Sequence, residues 1–228
     1  YILMGLVTGG ELFNLIHYQK DDGLWYSGIP ESHAKFHCLV VADTLNYIHK
    51  RKYLYRDLKP ENILIDQDGY PIICDFGFAK YVPNKTYTLC GTLQYLSPEI
   101  ILNQGHNASV DHWALGVLIY ELVCGDNPFY EDGMDQIELF ECIVNEDYYP
   151  LPSSASDGMF DILDALLEKK PYQRLGSLAG RGKDIVRHPW FAEYDLQQLR
   201  QKIVPAPFQP SDASSVELDD DADDDLLS

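Results

Sequence analysis

The 228-residue sequence predicts an α+β domain that is mostly helical and carries one β-hairpin. Three observations predict it. Behind Pro30, apolar residues recur at Phe36, Leu39, Val40, Leu45 and Ile48, the spacing of one face of a long helix with proline near its first turn. Residues 110–123 are apolar almost all round, which implies a buried central helix. Ile63-Leu64-Ile65, the Asp68-Gly69 pair and residues 70–74 form a hairpin signal.

Taken in order, residues 1–4 read as the end of a strand and 5–10 as a turn. Residues 11–18 suggest a short helix, and the polar, Gly-containing stretch 19–29 a loop. The long helix is predicted over 30–50, the hairpin over 63–74 and irregular chain over 80–98. After the central helix, apolar spacing predicts helices over 137–144, 159–167 and 182–186. No internal repeat is visible.

With 46% hydrophobic residues the chain can build a sizeable core. The net charge is −19, and Glu217, Asp219, Asp220, Asp221, Asp223, Asp224 and Asp225 account for seven of those charges. The aromatic-free stretch holding them is expected to be solvated and disordered from about 211, because like charges repel. The remaining −12 argues against nucleic acid or an anionic membrane as partner. It suits a basic peptide, although acidity that only maintains solubility explains the charge equally well. The five cysteines, Cys38, Cys74, Cys90, Cys124 and Cys142, are odd in number and lack metal-ligand spacing, the pattern of a reduced intracellular chain. The apolar run around 113–123 is too short to span a bilayer.

The most informative segment is YRDLKPEN at 55–62, followed by Asp75-Phe76-Gly77 thirteen residues after Asn62. A single tripeptide of this kind would carry little weight; the ordered set carries much more. With these residues the chain resembles the eukaryotic protein kinases from residue 1 to about 210, implying a protein-kinase-like fold. The narrower resemblance is to the AGC group and its cyclic-nucleotide-dependent members. It is carried by Tyr55 in place of the commoner His, DFGFAK at 75–80, TLCGT at 88–92 and IILNQGH at 100–106. WALGVLIYEL at 113–122, RLGS at 174–177, HPWF at 188–191 and PAPFQP at 205–210 add to it.

The resemblance implies a Ser/Thr kinase that moves the γ-phosphoryl of ATP to a protein, with Mg2+ as cofactor. Asp57 would orient the substrate hydroxyl, Lys59 would meet the phosphate, and Thr92 would hydrogen-bond near both. Asn62 and Asp75 would hold magnesium, a hard cation that favours oxygen ligands. Met4, Val7, Leu64 and Cys74 match the adenine pocket, Glu11 the ribose contact, and Glu61 lies beside the nucleotide. Glu11, Glu61 and Glu121 match positions that grip substrate arginines, which suggests a basic, Arg-containing substrate. Phe76 and Cys90 read as packing residues. Thr88 matches the activation-loop phosphosite, with Arg56 and Lys80 as its cations. Glu99, Asp111 and Arg174 match scaffold positions.

Several residues depart from the family. Gly5 replaces a common acid, and Leu93 and Gln94 replace Pro and Glu of the G-T-P-E-Y stretch. No Gly-x-Gly-x-x-Gly loop precedes the catalytic loop. On this reading residues 1–191 are the hinge and C-terminal lobe, with the N-terminal lobe missing, and 192–228 are an AGC-type tail. Such a fragment is expected to transfer phosphate poorly. Further expected partners are a regulatory domain or subunit and an upstream activating kinase. The alternative is a non-catalytic kinase-like scaffold.

Overall fold

In the computed structural model, residues 5–19 and 25–210 are described. The expected strand at 1–4, with the Met4 position, the acidic stretch beyond 210 and the middle of the 19–29 segment lie outside them. Two long helices organise the rest. Helix α2 (Glu31–Lys50) buries Phe36, Leu39 and Leu45 on the predicted face. It packs on α4 (Ser109–Cys124), which is buried from Ser109 through Tyr120 and again at Leu122. Such an enclosed helix needs small residues where neighbours approach. Gly116 sits so close to Leu166 and Leu167 that a Cβ there would lie 2.8 Å from the Leu167 side chain. Gly125 ends α4 in the left-handed region, φ 80°, where glycine carries no Cβ penalty.

Around this pair lie α3 (Pro98–Ile101), α5 (Gln136–Asn145), α6 (Asp157–Leu166), α7 (Gly182–Val186) and α8 (Leu196–Arg200). Asp135 and Glu138 form a capping box that starts α5, and Ser156 caps α6. The predicted boundaries of the five longer or central helical segments agree with these within about two residues, the usual uncertainty of helix ends.

The strands depart more from expectation. The predicted hairpin forms as β4 (Ile63–Ile65) and β5 (Pro71–Ile73), paired antiparallel with Leu64 opposite Ile72. Its turn is fixed by Asp66 Oδ1, which accepts from the backbone N–H of Asp68 and Tyr70 at 2.9 Å each. Two further two-stranded sheets occur among the described residues. The helix expected over 11–18 is a single turn, α1 (Phe13–Ile16). Strands β1 (His17–Gln19) and β2 (Trp25–Ser27) then pair where helix end and loop were expected. The turn stops because Gly28 N–H takes the Ile16 carbonyl at 2.9 Å and draws the returning chain alongside. Likewise 80–98 is not irregular throughout. Strand β6 (Lys80–Tyr81) pairs with β3 (Tyr53–Leu54), and the segment closes with a 3-10 turn at Leu93–Tyr95 and the start of α3.

The segment after 191 is docked on the lobe. Arg200 makes a two-pronged pair with Asp43 at 2.6 and 2.7 Å, and Lys202 reaches Asp66 and Asp68. Tyr70 Oη donates to the Val204 carbonyl. The chain then crosses the hairpin and reaches Gly9, where a Cβ would lie 2.6 Å from Pro210.

Candidate active site

The site forms where the segment after β3 meets the hairpin. Asp57 is 7% exposed, and its carboxylate is fixed from two sides. Oδ1 accepts from Thr92 N at 3.2 Å and Thr92 Oγ1 at 3.0 Å. Oδ2 accepts from Asn62 Nδ2 at 2.8 Å, and the same amide donates to the Asp57 carbonyl. Both donations use the nitrogen of Asn62, leaving its Oδ1 as the atom for a hard cation. The 3-10 turn Pro60–Asn62 brings Asn62 back toward Asp57, with Pro at its first position.

The backbone before Asp57 is strained and explicitly braced. Arg56 has φ 71°, a region that costs a side-chain-bearing residue energy unless its surroundings hold it there. Asp111, buried at the start of α4, accepts from Arg56 N at 2.8 Å and Tyr55 N at 2.9 Å. His49 Nε2 lies 2.7 Å from Asp111 Oδ2. Burial works to raise the Asp111 pKa, but the His49 hydrogen bond and charge and the two backbone donors outweigh it, and the carboxyl sits below its ordinary value.

Asp75 follows β5, exposed, with φ 49°. Its Oδ1 accepts from Gly77 N at 2.9 Å, an Asx turn that aims the carboxylate. Cys74 N donates to the Asn62 carbonyl at 2.9 Å, so the hairpin end carries Asp75 to the Asn62 side of the site. Phe76 packs on Tyr55, ring centroids 5.4 Å apart, and is half exposed. Lys59 is half-buried and, among the described residues, makes no ion pair, so its ammonium is uncommitted.

The turn at 5–12 is zipped to β4. Gly9 N donates to Ile65 O, Ile65 N to Gly10 O, and Leu12 N to Ile63 O, all within 2.9 Å, while Glu11 bridges Leu64. This places Glu11, Leu64 and Cys74 on one edge, with Val7 half-buried just before it. Of the three candidate arginine-gripping acids, Glu61 and Glu121 lie close enough to interact. Glu121 is contacted by Tyr95 Oη, and burial, with Glu61 and Asp126 nearby, pushes its carboxyl up to about 7. Sequence reasoning missed Tyr95 and Asp126 around it. Tyr95 reads as a plain aromatic, and only the fold brings the acid to its hydroxyl.

Glu99 and Arg174, 75 residues apart, form a buried fork: Nη1 to Oε1 at 2.7 Å and Nη2 to Oε2 at 2.9 Å. Ser109 donates a further hydrogen bond to Glu99. Lys80 Nζ donates to Thr86 Oγ1 at 2.9 Å and Thr88 Oγ1 at 3.3 Å, while Arg56 Nε donates to the Phe78 carbonyl.

A buried, hydrogen-bonded carboxylate with an amide oxygen beside it, and an exposed carboxylate carried next to that amide by the hairpin end, can align a hydroxyl and a phosphate. The chain belongs to the protein kinase family: residues 1–191 match the family described as "Protein kinase domain". Within it the sequence groups with the cyclic-nucleotide-dependent AGC kinases. It is 40% identical to "cAMP-dependent protein kinase type 3" of Saccharomyces cerevisiae, over 92% of this chain and 50% of that protein. It is 40% identical to "cAMP-dependent protein kinase catalytic subunit 2" of Drosophila melanogaster, over 96% of this chain and 59% of that protein. It is 37% identical to "cGMP-dependent protein kinase 2" of Homo sapiens, over 92% of this chain and 27% of that protein. The chain thus spans between 27% and 59% of the length of these three relatives.

Proposed function

We propose that the protein containing this chain is a Ser/Thr protein kinase, and that this chain supplies its catalytic loop, magnesium ligands and substrate-binding acids. The observation that carries the reading is the Asp57 carboxylate, held by Thr92 and Asn62 at 2.8–3.2 Å, with the backbone of the two residues before it braced by Asp111. Fixed this way, Asp57 would accept the hydrogen of a substrate Ser or Thr hydroxyl and aim its oxygen. Lys59 would offset charge on the transferred group. Asn62 and Asp75 would hold Mg2+. Their donor set of one amide and one carboxylate oxygen fits magnesium that keeps phosphate and water ligands. Among the described residues no group of three His, Cys, Asp or Glu could hold a metal alone. Bound Mg-ATP supplies the phosphoryl group and neutralises its charge. Val7, Leu64 and Cys74 would line the adenine end, with Met4, and Glu11 would meet the ribose.

Glu11, Glu61 and Glu121 would favour substrates with arginine before the target residue. The whole protein would answer to a regulatory domain or subunit and to an activating kinase, a reading supported by relatives whose names say cAMP- or cGMP-dependent. Thr88 would carry the activating phosphate, with Arg56 and Lys80 as its cations. No helix among the described residues is long and apolar enough to cross a membrane. The test is phosphorylation of an Arg-containing Ser peptide by the protein at its natural full length. An Asp57→Asn variant should lose about 10²–10⁴-fold in kcat. Unchanged kcat in that variant would overturn the role of Asp57, and no transfer by either form would favour the scaffold reading.

A further inference from the structure

Two buried hydrogen-bonding atoms have no partner, Arg56 Nη1 and His106 Nε2, and the His106 imidazole lies within the electrostatic reach of both Arg56 and Lys80. His106 is 3% exposed, so its orphaned nitrogen is not repaired by bulk solvent. Its position is set by backbone pairing. Thr86 N donates to His106 O at 2.9 Å and His106 N to Thr86 O at 2.8 Å, a hydrogen-bonded antiparallel pair. Residues directly opposite in such a pair put their side chains on the same face, with Cβ atoms about 5 Å apart. The imidazole therefore stands beside Thr86 Oγ1, which already receives Lys80 Nζ at 2.9 Å, and the same ammonium donates to Thr88 Oγ1 at 3.3 Å. The arrangement leaves little freedom at its base. Gly105 has φ +73°, and a Cβ there would lie 2.6 Å from the Tyr87 ring, so the 86–88 and 105–106 segments are locked together.

We propose that His106 completes, with Arg56 and Lys80, a receptor for a phosphate carried covalently by Thr88. The two unpartnered buried atoms and the Lys80 ammonium are what an oxyanion with several acceptor oxygens would satisfy together. This rests on the reading of Thr88 as the regulatory site and adds to it a ligand that comes from the loop before α4. Thr88 is exposed and within reach of another kinase. Modification forms a bond from Thr88 Oγ1 to the γ-phosphorus of a nucleoside triphosphate. It breaks that phosphorus's bond to the bridging oxygen of the departing diphosphate, and the hydroxyl proton passes to solvent. In the unmodified chain burial, then Arg56, holds the imidazole pKa down, with Lys80 acting the same way, while Glu99 and Asp111 act against them. A phosphate dianion adds to the second group, favouring a proton on Nε2.

The experiment installs phosphothreonine at position 88 directly, so that it needs neither an activating kinase nor activity. Melting temperature and the rate of phosphatase release are measured for the phosphorylated and unphosphorylated chain. Each is repeated in His106→Phe, His106→Gln, and a Lys80→Ala control. Comparing the two forms within each variant cancels any general loss of stability. The proposal expects phosphorylation to raise the melting temperature, and His106→Phe to remove much of that gain and speed release about tenfold. His106→Gln, which keeps a donor, should recover part of both. Equal gain in His106→Phe and the unsubstituted chain would overturn the role of His106 while leaving the reading of Thr88 intact. No gain in any form, Lys80→Ala included, would overturn both. If millimolar inorganic phosphate reproduced the gain in the unphosphorylated chain, the receptor would serve a free anion and the covalent assignment would fall.

Discussion

Glu121 shows how one residue's surroundings set its use. A carboxyl pushed up to about 7 is half neutral near neutral pH, and a neutral carboxyl grips a guanidinium poorly. Affinity for an Arg-containing peptide should therefore rise as pH increases through about 7. Glu121→Gln should lose that dependence. The check is KM against pH for an Arg peptide and its Ala counterpart; a flat profile with Glu121 intact would contradict the assignment. The same shift has the opposite effect on folding. Because the folded pKa lies above the ordinary 4.5, Glu121 favours the folded state most at low pH and loses that advantage as pH rises from 4.5 to 7. Asp57, Asn62 and Asp75 stood out through resemblance to the kinase motif, whose residue order and spacing they keep. His106 was not: an isolated histidine carries no signal until the Thr86 pairing places it.

At the scale of elements, α4 does more than fill the core. Its first turn delivers Asp111 to the backbone of Tyr55 and Arg56, so the buried helix fixes the loop that holds Asp57. Asp111→Asn should cost about 2–3 kcal/mol, because hydrogen bonds to a charged group are lost or weakened in a dry site. It should also lower kcat, since a relaxed Arg56 moves Asp57. Denaturant unfolding together with kinetics checks this, and a variant with unchanged stability and kcat would contradict the brace. Helix α2 was readable because a 3.6-residue apolar period persists over many turns, and α4 because it is apolar almost all round. The β4–β5 hairpin was readable because Asp68-Gly69 sits between apolar runs. Strands β3 and β6 are two residues each, too short for any period. β1 and β2 were hidden because a single helical turn at Phe13–Ile16 precedes them. Tyr18, Trp25 and Tyr26 are of residue types common in strands, but that preference shows only once the chain doubles back.

Across the whole molecule, two kinds of buried charge chemistry control stability. The Glu99–Arg174 fork ties α3 to the segment after α6. Burial works to raise the Glu99 pKa, and the Arg174 hydrogen bonds and charge more than reverse it, so the net shift is downward from 4.5. Its contribution is complete above about pH 4.5 and is lost as pH falls below. Glu99→Gln should cost about 3–5 kcal/mol, because an unpaired buried guanidinium remains. Replacing both partners by apolar residues should cost less, and an equal or larger loss would contradict this account. His37 and His112 are buried, and burial pushes each imidazole down to about 3. They hold the fold above their ordinary 6.5, and stability should fall with acid below that value. Each can contribute up to about 1.4 kcal/mol per pH unit, partly offset by Glu121. Urea midpoints measured from pH 7 to 5 should decline, and His112→Phe should flatten the decline.

The most direct test of the central claim is transfer of the γ-phosphoryl group from ATP to an Arg-containing Ser peptide by the full-length protein, beside its Asp57→Asn variant. The account predicts Mg2+-dependent transfer that falls by about 10²–10⁴-fold in the variant while the variant still unfolds cooperatively above the assay temperature. Transfer that survives the substitution, or its absence from a folded parent phosphorylated on Thr88, would contradict it.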